Sequence, residues 1–105
     1  ADCDPYDIVI TPTLPQPPRK VGYFDMSLPF DKLNYEILVP EVVFTIPHNI
    51  SGLPGMSLPL HWSADGLPCG VQFLTQHAND GLLFRLAAQL EKAQPWFDKV
   101  PPIHA

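Results

Sequence analysis

Apolar residues recur with a helical period near the end of the chain, over residues 79–94. We expect Asn79 or Asp80 to cap the first turn of this helix, and Pro95 to stop it. Polar residues occupy the opposite face, so the segment is predicted to be an amphipathic helix that packs on a core. Its apolar face carries Leu82, Leu83, Leu86, Ala87 and Leu90.

A different pattern near the start of the chain predicts a strand followed by a stiff loop. Residues 7–11 form a short β-branched run that is closed by Pro12, as in a buried strand. Residues 13–18 hold three more prolines. We expect this loop to be extended, polyproline-like and exposed, because each proline fixes φ and restricts its predecessor.

A hairpin is predicted in the second half of the chain. Residues 56–60 alternate in the manner of a strand, and Pro59 confines that strand to a sheet edge or a strand end. Asp65-Gly66 is a strong turn signal, and residues 70–74 read as the returning strand. A large apolar anchor at Trp96-Phe97 is expected to fold back against the sheet.

The middle of the chain is less regular. Residues 30–39 have near-helical apolar spacing, which predicts a short helix that Asp31 could cap and Pro40 would end. Residues 41–46 fit a strand or a helix equally well, so both remain open. Residues 47–59 are rich in proline and glycine, and we expect an irregular segment whose glycines need positive φ or close backbone approach.

Composition limits the classes of protein that fit. The 105 residues suffice for one small domain, and an apolar share of 46% argues against disorder. Fourteen prolines prevent long regular elements. A net charge of −5 without a basic cluster argues against nucleic acid, and no apolar run approaches the ~18 residues of a membrane span. With no signal peptide visible, we expect a cytoplasmic location.

Cysteine and histidine contribute no recognisable site. Cys3 and Cys69 lie in no C-x-x-C pair, and we expect both to be reduced thiols, with Cys69 in the core at the start of a strand. The four histidines match no compact ligand spacing, so neither a metal nor a cofactor is predicted. They are His48, His61, His77 and His104.

Ser57 is the obvious candidate for a hydrolytic nucleophile. It lies in Gly55-Met-Ser-Leu-Pro59, which departs from a Gly-x-Ser-x-Gly elbow at the fifth position. His48, His61 and Asp65 are near in sequence, but a triad depends on geometry rather than on sequence distance. We therefore expect a structural serine that bonds the local backbone.

Two runs carry a family resemblance. The first follows an F-x-x-P-x-N-x-x-G-x-P-x-x-S-x-P pattern, with Phe44-Thr-Ile-Pro-His-Asn-Ile-Ser-Gly-Leu-Pro-Gly-Met-Ser-Leu-Pro59. The second is Gly66-Leu-Pro-Cys-Gly-Val-Gln72. Together they resemble the carboxy-terminal part of the amidase-signature hydrolases, and the opening Tyr-Asp-Ile-Val-Ile-Thr-Pro-Thr13 and the final helix fit the same part.

The resemblance implies an α/β fold. Residues 1–105 would be a single C-terminal segment of an amidase-type domain, with a few short strands of a mixed sheet, one amphipathic helix and many proline-rich loops. Family members use a serine, a second serine in a cis peptide and a lysine. Those three lie in regions of the family that this sequence does not match, so we expect the catalytic N-terminal part to be absent and no catalytic role to transfer to any residue here.

What remains for this chain is an architectural role. The resemblance implies that Phe44, His48, Asn49 and Met56 form part of the wall of a substrate pocket, for a small amide that the complete enzyme would hydrolyse. The expected partner is the missing catalytic portion of the fold. Two alternatives remain open: a stand-alone structural or interaction module that self-associates through exposed strand edges, and an independent serine or cysteine hydrolase.

Overall fold

The structure, a computed structural model, describes residues 6–103. Within that part of the chain, one three-stranded sheet is formed, with β3 in the middle. Both pairings are antiparallel, so the mixed sheet expected from the resemblance is not formed by these residues. The strands are β1 (Val9–Pro12), β2 (Gly55–Trp62) and β3 (Pro68–Leu74).

The predicted hairpin is confirmed as β2 and β3. Ser63 donates its N–H to the Leu67 carbonyl at 2.9 Å, and Gly66 adopts a φ of +77° that glycine allows without a steric penalty. β2 is an edge strand, as its proline requires, because Pro59 has no N–H to offer a further neighbour. The register shifts between Pro59 and His61, which marks a bulge beside that proline.

The amphipathic helix is confirmed as α3 (Asp80–Ala93). The capping prediction is wrong, since neither Asn79 nor Asp80 makes a side-chain cap. The Asn79 amide instead donates to the Thr75 hydroxyl at 3.3 Å, and that hydroxyl in turn donates to the Asp7 carbonyl at 2.9 Å. Thr75 is fully buried. The Asn79 side chain, which the sequence pattern assigns to a helix cap, therefore joins α3 to residues outside the helix.

One face of the sheet and α3 enclose the hydrophobic core. Leu58, Phe73 and Leu83 form its buried cluster. Trp96 packs against this cluster and confirms half of the predicted anchor, whereas Phe97 remains 86% exposed. The side chains of the cluster come from β2, β3 and α3, so the hairpin and the closing helix share one core.

The segment before β2 departs most from the sequence prediction. Residues 32–41, which we call the helical arm, comprise a π-helical stretch, Lys32–Leu38, followed by α1 (Val39–Glu41). Pro40 does not end the helix, because it lies in the first turn of α1, where its missing N–H is not needed. Asp31 is itself helical and makes no side-chain cap.

The stretch 41–46, left open between strand and helix, is helical only at its two ends, Glu41 and Ile46. Residues 43–45 are turns, and α2 (Ile46–Ser51) follows, within a stretch predicted to be irregular. Pro47 is tolerated in the first turn of α2, and Gly52 ends the helix with a φ of +68° and an N–H bond to the His48 carbonyl at 2.9 Å. The pattern missed α2 because a six-residue helix shows barely two turns of periodicity.

The arm is fixed by one ion pair. Arg19 donates from Nε to Oε1 of Glu41 at 2.7 Å, and its NH2 group lies 2.6 Å from the same oxygen. This carboxylate raises the pKa of Arg19 above its ordinary value. The guanidinium also lies 4.7 Å from the centre of the Tyr23 ring. The proline-rich loop that precedes Arg19 is exposed, as expected, but it bends along residues 13–17 rather than running extended.

Candidate functional site

A cleft of about 370 Å³ opens between α2 and the sheet face opposite the core. Antiparallel pairing places Thr11, Gln72 and Ser57 directly opposite one another, so their side chains lie on that one face. The cleft therefore has a helical wall and a polar sheet floor. It is lined by Thr13, Thr45, His48, Asn49, Leu53, Gly55, Met56, Ser57 and Gln72.

Three of the four residues predicted as a pocket wall line this cleft. His48 and Asn49 project from α2, and Met56 comes from β2. Phe44 is not among the lining residues, but its carbonyl accepts a hydrogen bond from Gln72 Nε2 at 3.1 Å. Phe44 thus ties the segment before α2 to the floor. The structure brings the four together in space, and their role in substrate binding stays a prediction.

The cleft carries no formal charge. No Asp, Glu, Lys or Arg is among its lining residues. Partial burial lowers the pKa of His48 below its ordinary value of 6.5, because desolvation disfavours the imidazolium. The neutral imidazole therefore predominates at pH 7. The arrangement suits a ligand that is polar and uncharged.

Ser57 does not bond the local backbone, and this expectation is corrected. Its hydroxyl lies 2.6 Å from the Thr13 hydroxyl, across the middle strand of the sheet. That contact is possible because Gly70 lies beneath it: a Cβ at position 70 would come within 2.6 Å of Thr13 Oγ1 and 2.8 Å of Ser57 Oγ. Among the described residues, no histidine or acid bonds the Ser57 hydroxyl.

Cys69 is not a core cysteine either. It is a free, half-buried thiol on β3, and it lines a separate groove of about 270 Å³ beside the proline-rich loop. Its Sγ lies 3.9 Å from the Leu67 carbonyl. Cys3 falls outside residues 6–103. Over that range, no group of three or more His, Cys, Asp or Glu side chains is placed to hold a metal ion. Over the same residues, no helix is both long and apolar enough to cross a bilayer.

Sequence reasoning missed two residues of the floor, Thr13 and Gln72. A signal for Gln72 was available: strand alternation in Gly70-Val-Gln-Phe-Leu74 separates Gln72 from Val71 and Phe73, and so directs a polar side chain to the other face. Thr13 carried no comparable signal. Thr13 reaches Ser57 because β1 and β2 lie on either side of β3. That strand order is set by tertiary structure and cannot be read from the local sequence.

The fold and cleft define an α/β unit with a helix-backed antiparallel sheet and a neutral polar cleft. The family model described as Amidase matches residues 2–84. The chain belongs to the amidase family, as the two sequence runs predicted.

Similar proteins are known by sequence and by structure. The chain is 39% identical over 94 residues to a "Putative amidase AmiC" of Mycobacterium tuberculosis (strain ATCC 25618 / H37Rv), covering 87% of this chain and 19% of the relative. It is 34% identical over 103 residues to a "6-aminohexanoate-cyclic-dimer hydrolase" of Pseudomonas sp. (strain NK87), covering 93% and 21%. A solved structure of 6-aminohexanoate cyclic dimer hydrolase superposes with a TM-score of 0.78 at 34% identity, covering 86% of this chain and 20% of that one. The chain thus spans about a fifth of the length of the relatives it matches.

Proposed function

We propose that this chain is the C-terminal scaffold portion of an amidase, and that the complete enzyme hydrolyses carbon–nitrogen amide bonds. The observation that carries the proposal is the neutral cleft between α2 and the sheet, in a chain of this family. His48, Asn49 and Met56 form part of the substrate wall, and Phe44 supports it through the bond between its carbonyl and Gln72. Their mixture of apolar and uncharged polar groups suits a small amide.

The chemistry of Ser57 supports a scaffold role rather than a catalytic one. A serine nucleophile needs a base to accept its proton, and the base in turn needs an orienting group. The hydroxyl of Ser57 bonds another hydroxyl, Thr13, which is no base at neutral pH. The nucleophile and its base are therefore supplied by the catalytic portion, and residues 1–105 alone are inactive.

The exposed area supports association with further protein. The accessible surface is 7893 Å², whereas a compact protein of 11.7 kDa exposes about 5,900 Å². The excess of roughly 2,000 Å² is the size of a substantial interface on one partner. Much of it is apolar, with Val21, Met26, Phe30 and Tyr35 all exposed. The expected partner is the catalytic portion of the amidase fold.

A second candidate is a self-associating module. Within residues 6–103, β1 is an edge strand with no neighbour on its outer side, and Ile10 on it is exposed. β2 is the poorer edge, because Pro59 has no N–H and the strand is bulged there. Self-association would therefore use β1. A dimer in light scattering at high concentration supports this candidate, and a monomer counts against it.

The test of the proposed function is a segment exchange. In 6-aminohexanoate-cyclic-dimer hydrolase, the matched segment is replaced by residues 1–105 of this chain, and amide hydrolysis is measured for the chimera and for the isolated chain. We expect turnover by the chimera and none above background by the isolated chain. Turnover by the isolated chain that disappears in Ser57→Ala overturns the scaffold assignment. A folded chimera without any amidase activity overturns it as well.

A further inference from the structure

We propose that Gln72, Ser57 and Thr13 form an amide-recognition subsite on the sheet floor of the cleft, specific for an uncharged amide that carries an N–H. The inference deepens the proposed function and rests on it. It assigns the recognition of the amide group to the floor of the cleft, whereas His48, Asn49 and Met56 line the surrounding wall and Phe44 holds Gln72 in place.

Gln72 supplies a fixed hydrogen-bond acceptor. Its side chain is more than nine-tenths buried, and Nε2 donates to the Phe44 carbonyl at 3.1 Å. A carbonyl only accepts, so the NH₂ group of Gln72 must face Phe44 and Oε1 must face away. Within residues 6–103, Gln72 Oε1 has no hydrogen-bond partner. The atom remains accessible to solvent, unlike the Thr11 hydroxyl, which is buried without a partner. An oriented and unpaired acceptor thus lies on the floor of the cleft.

The hydroxyls of Thr13 and Ser57 supply the complementary donor. The pair holds two protons, and their mutual bond of 2.6 Å uses one of them. The second proton is free to donate to a ligand. β1 and β2 are separated by the middle strand, roughly 9.5 Å apart, and their hydroxyls meet only because Gly70 leaves room between them.

Donor and acceptor lie side by side. Ser57 and Gln72 are direct register partners on β2 and β3, so their side chains leave the sheet on the same face as neighbours. A secondary amide presents one N–H and one C=O, which match Gln72 Oε1 and the free hydroxyl proton. A ligand that lacks the N–H leaves the buried glutamine oxygen unpaired, which selects against it. The absence of a charged lining residue selects against an ionised ligand.

Three small probes test this on the 105-residue chain by two-dimensional ¹H–¹⁵N NMR. N-methylacetamide has the N–H and the C=O, N,N-dimethylacetamide lacks the N–H, and acetate is charged. We expect N-methylacetamide to shift the Gln72 side-chain signals saturably and to bind roughly fivefold more tightly than the dimethyl compound, as for one neutral hydrogen bond. Acetate should be weaker than either amide. Equal binding of the two amides, tighter binding of acetate, or no saturable shift at the cleft overturns the proposal.

Two variants assign the groups. Gln72→Met removes the acceptor at similar volume and should abolish the discrimination between the two amides, whereas Gln89→Met on the exposed side of α3 should preserve it. The double variant Thr13→Val/Ser57→Ala removes the donor and should weaken both amides alike. If Gln72→Met does not fold, as judged by its spectral dispersion, the three probes on the parent chain and the double variant still test the proposed subsite. A double variant that binds as tightly as the parent chain contradicts the assignment.

This binding test requires no turnover, so its outcome is separate from that of the segment exchange. Selective binding of N-methylacetamide together with an inactive chimera counts against the proposed function and leaves the subsite. An active chimera without such selectivity in the isolated chain counts against the subsite alone.

Discussion

The hairpin with α3 and the helical arm are two regions of one chain that differ in how many apolar side chains they bury fully. In the first, Phe73, Leu74 and Leu83 are 4%, 1% and 5% exposed. In the second, Leu33 is the buried apolar residue of the π-helical stretch and Tyr35 is 67% exposed, while Phe30, two residues before the arm, is 73% exposed. The first region thus holds several buried apolar side chains, and the arm holds one.

The difference shows where each region obtains its stability. The hairpin and α3 bury their apolar side chains against one another and so carry a core of their own. The arm is tied to its surroundings by two polar contacts, Arg19 to Glu41 and, just after the arm, Gln72 to the Phe44 carbonyl. Regions with few buried apolar contacts open at low free-energy cost. We therefore expect the arm to open at a lower free-energy cost than the hairpin and α3.

The largest expected effect comes from breaking the core region. Leu83→Ala should lower the free energy of unfolding by about 2–5 kcal/mol, because it removes a buried side chain and leaves a cavity. Urea unfolding followed by circular dichroism measures this. Because domains of this size are stable by only about 5–15 kcal/mol, such a loss is a large part of the total.

The matched control is the next residue along α3. Phe84 is 74% exposed, so Phe84→Ala should change the free energy of unfolding by no more than about 0.5 kcal/mol. The comparison between the two regions is wrong if Phe84→Ala destabilises as much as Leu83→Ala. In that case, an apolar surface that is open in this structure would be buried in solution.

A smaller and local effect is expected in the arm. Glu41→Gln removes the charge that holds Arg19, and the amides of residues 33–38 should exchange with solvent several-fold faster, with those of β3 unchanged. Hydrogen exchange measured by NMR reports each region separately. Glu36→Gln on the exposed side of the same arm is the control and should leave the rates as they are. Faster exchange throughout β3 in Glu41→Gln would show that the two regions open together.

The sequence was most informative in the region that has its own core. The leucine spacing of α3, the Asp65-Gly66 turn and the edge position of Pro59 each reflect local geometry or the direction of a core, and all three are confirmed. The sequence-based prediction was wrong where tertiary contacts determine the local structure. Pro40 is accommodated by a change of helix type, and Asn79 bonds Thr75 instead of capping its helix.

The residues of the cleft likewise fall into those that the sequence indicated and those that depend on tertiary structure. Family resemblance led to His48, Asn49 and Met56, which meet at one cleft. The bond between Thr13 and Ser57 joins residues 44 positions apart, and it exists because β3 inserts between β1 and β2 with a glycine at the crossing point. A strand order in which β3 lies between β1 and β2 produces no recognisable pattern in the local sequence, so this bond could not be predicted. Gln72 could have been assigned to the correct face, but its bond to the Phe44 carbonyl could not.

The smallest expected effect concerns His48, which lies on α2 between the two regions. Burial lowers its pKa in the folded chain below the ordinary 6.5, so the unfolded chain binds the proton more readily. The free energy of unfolding should therefore fall as pH drops below about 6.5 and recover as pH rises through the same window. Urea midpoints at pH 7.5 and 5.5 measure this, and His48→Gln should reduce the difference between them. His61→Gln, on an exposed position of β2, should keep the full difference. If His48→Gln leaves the pH dependence intact while His61→Gln removes it, the imidazole at the cleft is solvated and the helical wall is not closed onto the sheet.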